Sequence, residues 1–310
     1  MNHRINHWSI EPTDICNLHC NSCRRSEWVA QSKQHGRGIM TPDTFKKIIK
    51  IISKEPTTKK WGTRYLQLFW RGEPCISPHL PTLAKIANEY GYRTITSTNC
   101  SVPLLNNRDY VQRLLDNFSE VEFCVDGFNQ ETIDKYRVGA NWKTMLKTLE
   151  IVSNLESFAL KKMRVLMFKW NEGREEQFRK FAKRYGMNEL LFGSPIINGS
   201  AVITRKQRDE WIASDDKYCR YKLENDEYVS DSRKTCNLHA VVAYNGDVGL
   251  CALDMPLKYK LGNILKDGIE EVKKNYLLYA DDAYLRRLPM CKQFCCCMPN
   301  KPVNIREKII

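Results

Sequence analysis

From Trp8 to about Pro195 the chain alternates strand-like and helix-like segments, and this alternation restricts the fold more than any other feature. Short runs at Trp8–Glu11, Tyr65–Trp70, Tyr92–Ser97, Val121–Val125, Met163–Lys169 and Leu190–Phe192 read as strands. Between them, Leu80–Tyr90, Asp109–Phe118, Trp142–Leu155 and Glu175–Tyr185 read as helices, with Gly91 and Gly186 as stops. Thr41-Pro42-Asp43 starts one more helix, with Thr as N-cap and Pro at the first helical position. Phe45, Ile48, Ile49 and Ile52 space an apolar face along it. Six strands joined by five helical crossovers argue for a parallel sheet covered by helices, lying open or curled into a partial barrel. Either form places ligands at the carboxyl ends of the strands.

Those ends carry a common chemistry. Cys16 follows the first strand, Arg71-Gly72-Glu73-Pro74 the second, Thr98-Asn99 the third and Asp126-Gly127 the fourth. Any one of them reads as a turn or a cap. Their placement on one face of the sheet favours a functional site.

After Pro195 the alternation stops. Residues 196–235 read as a polar, irregular connection with one or two helical turns. Ala240–Tyr244, Asn245-Gly246 and Val248–Leu250 then form a hairpin pattern with an Asn-Gly turn. Ile269–Tyr279 reads as a helix. The expected division is therefore a domain over 1–195 and a smaller one over 196–310.

The chain of 310 residues holds 13 cysteines and no apolar run long enough to span a bilayer or to act as an export signal. We therefore expect a cytoplasmic protein whose thiols serve as metal ligands or small buried hydrophobes rather than disulfides. Cys75, Cys100 and Cys124 stand alone in apolar segments and read as packing residues. The net charge of +13 is spread without a dense basic run, so solvated helix faces explain it better than nucleic acid does.

Cys16, Cys20 and Cys23 form C-x3-C-x2-C, three thiolates within eight residues. A structural zinc site closes with four ligands, and neither His19 nor His35 completes a common zinc spacing. An iron–sulfur cluster held by three cysteines keeps one iron open to a substrate or cofactor. At the ligand end of an α/β sheet, the triplet favours a reactive cluster.

The stretch EPTDICNLHCNSC resembles the cluster loop of the radical S-adenosylmethionine superfamily. FWRGEP is similar to the family's Gly-Gly-Glu-Pro motif, and TSTN and FCVDG to later strand ends, in the same order. The resemblance covers roughly residues 8–195 and implies a partial (β/α)6 TIM-like barrel with a small C-terminal cysteine-rich α+β extension. It implies that Cys16, Cys20 and Cys23 bind a [4Fe–4S] cluster, whose fourth iron is chelated by S-adenosylmethionine (AdoMet). Gly72 and Glu73 would meet the methionine amino group. Asn99 and Asp126 are candidates for the ribose hydroxyls or the substrate, and Arg137 for the carboxylate or for packing. The implied activity is reductive cleavage of AdoMet to a 5′-deoxyadenosyl radical that abstracts hydrogen from a substrate. A flavodoxin or ferredoxin would supply the electron. Two positions depart from the pattern: Ser22 stands where many members carry an aromatic residue, and Arg71 replaces the first glycine.

Cys236 and Cys251 frame C-x9-G-x4-C around the hairpin turn, and Cys291 and Cys295–Cys297 follow. The hairpin returns Cys251 toward Cys236, so a second metal site is expected. Through LGNI at Leu261–Ile264 this segment resembles the SPASM/Twitch extension of the same superfamily, in its abbreviated form. That implies an auxiliary [4Fe–4S] cluster on Cys236, Cys251, Cys291 and Cys295, with Cys296 or Cys297 interchangeable with Cys295 and Cys219 as a further ligand. Relatives with such a tail oxidise or modify peptides, sulfatases or aminocyclitols; a barrel that starts within ten residues argues against a preceding peptide-recognition domain. The competing class is a zinc-stabilised, basic nucleic-acid-binding protein, which gives the strand-end motifs no role.

Overall fold

The strand–helix alternation is realised in a computed structural model that describes residues 5–25, 37–56, 64–200, 202–230, 236, 239–285, 287–294 and 304–309. Strands β1 (His7–Ile10), β2 (Arg64–Gln67), β3 (Tyr92–Thr98), β4 (Glu120–Cys124), β5 (Leu160–Leu166) and β6 (Glu189–Gly193) pair in parallel and in sequence order. The crossovers carry helices α1 (Pro42–Ile52), α2 (Leu80–Glu89), α3 (Arg108–Asn117), α4 (Gln130–Asp134), α5 (Trp142–Ser153) and α6 (Glu175–Arg184). This is the expected partial barrel. Thr41 caps α1 through its side chain, and Phe45, Ile48, Ile49 and Ile52 are all fully buried. Asn107 and Asn141 cap α3 and α5 in the same way.

Alternate strand residues face opposite sides. Leu66, Val121, Phe123, Met163, Val165 and Phe192 are fully buried. The intervening positions Gln67, Ser97, Glu122 and Arg164 are only partly buried and polar, so the other face of the sheet carries hydrogen-bonding groups.

Three expectations need correction. The fifth strand begins at Leu160, not Met163: Lys162 reads as surface in sequence, yet it is buried in the sheet between Glu120 and Glu189. The second strand ends at Gln67, and Trp70 leaves it to donate its indole N–H to Ala252 O at 2.7 Å. Within the connection expected over 196–235, residues 202–230 are not merely irregular. β7 (Val202–Ile203), helix α7 (Arg205–Trp211), β8 (Tyr221–Glu224) and β9 (Glu227–Ser230) form a small unit whose strands make an antiparallel sheet in the order β7-β9-β8. Its hairpin turns at Asn225-Asp226, both at positive φ (49° and 63°), as a tight two-residue turn requires.

The C-terminal hairpin exists as β10 (His239–Val242) and β11 (Asp247–Gly249), with Gly246 at φ 89°. It adds to the main sheet: β10 pairs in parallel with β1, His7 opposite His239, and β12 (Lys260–Asn263) follows β11. At the other edge β13 (Asn304–Lys308) runs antiparallel to β6. One sheet thus has the order β12-β11-β10-β1-β2-β3-β4-β5-β6-β13. Helices α8 (Gly268–Tyr284) and α9 (Pro289–Phe294) complete the described chain.

Candidate active site at the carboxyl ends of the strands

The loop after β1 is held along its length by main-chain bonds. His19 N donates to Val138 O and Asn21 N to Tyr136 O, each at 3.0 Å. Asn17 Nδ2 donates to Ser101 O at 2.9 Å, and the Arg25 guanidinium donates to Asp14 O. Cys23 N closes a turn onto Cys20 O, and Leu18 N donates to Cys16 Sγ at 3.5 Å. Cys16, Cys20 and Cys23 are all half-buried. Burial raises the Cys16 thiol and pushes Cys20 up to about 12, the neighbouring thiols adding to the shift.

The second strand end docks on this loop. A Cβ on Gly72 would lie 2.2 Å from Thr13 O and 2.7 Å from Ile15 O, so only glycine fits. Glu73 N donates to Ile15 O at 2.8 Å. The Glu73 carboxylate accepts Cys75 N at 3.0 Å and Asn99 N at 2.7 Å, which ties the second strand end to the third. Burial raises its pKa. Asn99 Nδ2 donates to Asn17 Oδ1 at 3.0 Å, returning to the cysteine loop. Asp126 accepts Arg137 Nε at 2.7 Å and Leu166 N at 2.7 Å, and Arg137 lies close enough to Cys20 to lower its pKa. The structure therefore joins Gly72, Glu73 and Asn99 to the cysteine loop directly, and places Asp126 and Arg137 beside it as a buried ion pair.

The loop's chemistry can be tested against its candidate cofactors. A zinc ion draws four donors to within roughly 2.3 Å of one point. Among the described residues no three His, Cys, Asp or Glu side chains converge in that way. A cluster binds each cysteine at a different iron and so holds them farther apart. Three half-buried thiols on one anchored loop fit that donor set.

Glu11, Arg24 and His239 were not singled out in the sequence, whereas Arg71 and Ser22 were, as departures from the motif pattern. Glu11 pairs with Arg71 at 2.6 Å, both side chains fully buried, and this accounts for the arginine that departs from the motif. Ser22 is buried, and its hydroxyl has no hydrogen-bond partner among the described residues. Arg24 Nη1 donates to Leu253 O at 2.6 Å. His239 Nε2 lies 2.7 Å from Ser9 Oγ, which donates to Gln67. The signal for Glu11 was its position at the end of the first strand, one strand away from an arginine at the end of the next.

Of the late cysteines, Cys236 and Cys251 line one cavity of about 390 Å³ together with His7, Tyr65, Gln67 and His239. Cys291 is buried near Tyr259. Cys295, Cys296 and Cys297 lie outside the described residues. Cys219 is buried in a second small core with Phe168 and Ile197, its thiol donating to Tyr221 O. Cys75, Cys100 and Cys124 are buried, as packing residues should be.

A family profile described as the Radical SAM superfamily matches residues 10–182. No curated protein matches the sequence. Among solved structures, native anSMEcpe with bound AdoMet superposes with a TM-score of 0.63 at 15% identity, over 94% of this chain and 89% of that one. The same protein with AdoMet and Cp18Cys peptide gives 0.63 at 16% identity, over 96% and 91%. BtrN in complex with AdoMet and 2-DOIA gives 0.50 at 14% identity, over 94% and 93%. At such identities the superpositions speak for the fold. The profile spans more than half of the chain and contains the whole strand-end network: this chain belongs to the radical SAM superfamily.

Proposed function

We propose that Cys16, Cys20 and Cys23 hold a [4Fe–4S] cluster and that Gly72, Glu73, Asn99, Asp126 and Arg137 frame AdoMet beside it. The observation that carries this reading is the anchored three-thiol loop, bonded to the ends of β2 and β3 through Glu73, Asn17 and Asn99. When bound, the cluster and AdoMet supply one-electron cleavage of a carbon–sulfur bond and hydrogen abstraction from a substrate. The chain's own part is to orient. Gly72 lets the second strand end approach the loop. Glu73, with both carboxylate oxygens engaged, fixes that end against Asn99. Asp126 holds Arg137 beside Cys20.

In the same reading, Cys236, Cys251, Cys291 and Cys295 hold an auxiliary cluster of SPASM/Twitch type. Residues 1–195 act as the AdoMet domain and 196–310 as the auxiliary one. The substrate is a peptide side chain or a small metabolite, and the outcome is an oxidation when the auxiliary cluster accepts an electron. A flavodoxin or ferredoxin is the electron donor. Purification without oxygen tests both sites: about eight irons are expected for two four-iron clusters, and about four would remove the auxiliary one. Cys16→Ala should abolish 5′-deoxyadenosine formation with dithionite; continued formation would show that the triplet is misassigned.

A further inference from the structure

Three donors from the strand-end region converge on one short segment of the C-terminal half. Arg24, next to Cys23, donates to Leu253 O at 2.6 Å. Trp70 donates to Ala252 O at 2.7 Å, and Arg71 to Met255 O at 3.2 Å. All three acceptors are main-chain carbonyls immediately after Cys251. Leu253 N in turn donates to Cys251 Sγ at 3.4 Å, so Cys23 and Cys251 are joined through Arg24 and Leu253.

The donors are themselves fixed. Arg71 spends its other donors on both oxygens of Glu11, at 2.8 and 2.6 Å, and its guanidinium stacks over Trp70 at 4.0 Å. Glu11 also accepts Tyr244 N from the hairpin turn. Arg24 lies across Gly199, where a Cβ would fall 2.0 Å from its Cδ. The segment is folded on itself by Asp254, which accepts Lys258 N and Tyr259 N. A buried, bidentate arginine whose remaining donor reaches a carbonyl of another element has its rotamer set before that element arrives.

We propose that Arg24 and Arg71 are positioning residues that lay the segment carrying Cys251 against the ends of β1 and β2, so that the second cysteine site takes its register from the first. The metal arm of the test rests on the auxiliary-cluster reading above, whereas the thiol arm does not. The thiol arm uses iodoacetamide on the metal-free, full-length protein, with labelling resolved by mass spectrometry. In Arg24→Ala and in the double variant Glu11→Gln/Arg71→Met, which leaves no buried charge unpaired, Cys251 should label about tenfold faster, as expected for local release of one segment. Arg24→Lys should restore the wild-type rate, because one donor suffices at Leu253 O. Cys75 and Cys100, both fully buried, should stay protected throughout. Wild-type Cys251 labelling in both variants would overturn the proposal. Where Cys75 and Cys100 also label, the variant has lost its fold. Gly199→Ala, which pushes Arg24 aside without removing a charge, then decides, and unchanged Cys251 labelling there overturns the proposal as well.

In the metal arm, reconstituted Gly199→Ala should continue to form 5′-deoxyadenosine, and the electron paramagnetic resonance signal of the second cluster should shift or be lost in it, in Arg24→Ala and in the double variant. An unchanged second signal in all variants would contradict the assignment. Four irons in the wild type would remove the auxiliary cluster and leave the thiol arm standing.

Discussion

A buried arginine is tolerated only where its charge is answered. Glu11 answers Arg71 with both carboxylate oxygens, in a pair with no exposed side-chain surface. Next to it, Gly72 shows a different constraint. Its missing side chain makes room for the carbonyls of Thr13 and Ile15, so the glycine serves the chain's own packing in this structure. His239 carries a titration that can be measured. Burial lowers its pKa from 6.5 to about 4, so the folded protein holds it neutral. The unfolded chain binds the extra proton between those values, so stability should rise with pH across that window and fall as pH drops from 6.5 toward 4. The loss is at most about 3 kcal/mol, and smaller to the extent that water reaches the ring from the cavity. Thermal melts of the metal-free protein between these pH values should show a steeper slope than those of His239→Gln. Equal slopes would place the titration elsewhere.

At the scale of elements, periodicity carried the helices well. The α1 face and its cap lie where the spacing of Phe45, Ile48, Ile49 and Ile52 put them. Strands were harder to bound because their charged residues are paired inside the sheet. Lys162 is buried with Glu120 and Glu189 on the neighbouring strands, and no local pattern reveals a partner that arrives from another strand. Lys162→Met should remove the cation that Glu120 and Glu189 share and cost about 3–5 kcal/mol, read as a lowered denaturant midpoint. A cost below about 1 kcal/mol would show that Arg306, 3.4 Å from Glu189, and solvent suffice. The β8–β9 hairpin was missed for a related reason. Asn225-Asp226 looked like loop polarity, yet its two positive φ values make it a tight turn between strands. The hairpin at Gly246 was legible because Asn-Gly is a stronger signal of the same kind.

Across the whole molecule, the C-terminal half completes the sheet instead of standing apart from it. β10 occupies the edge of β1 over His7–Ile10, and β13 covers β6. A chain ending at residue 195 would expose both edges, and unpaired edges invite association between molecules. We expect that fragment to aggregate; a monomeric, iron-binding fragment would show the extension to be dispensable for the barrel. Among the described residues no helix is long and apolar enough to cross a membrane. The alternation of strands and helices, the caps, the three-cysteine spacing and the polar strand ends were all set by local sequence, because helix and strand periods and turn chemistry act over a few residues. Which groups meet was decided by tertiary structure alone. Arg71 on Glu11, Asn99 on Asn17, Arg24 on Leu253 and His239 beside Ser9 are separated by 60, 82, 229 and 230 residues. Their hydrogen bonds exist only once the sheet has brought the strand ends together, and a contact between distant residues leaves no periodic trace in the chain.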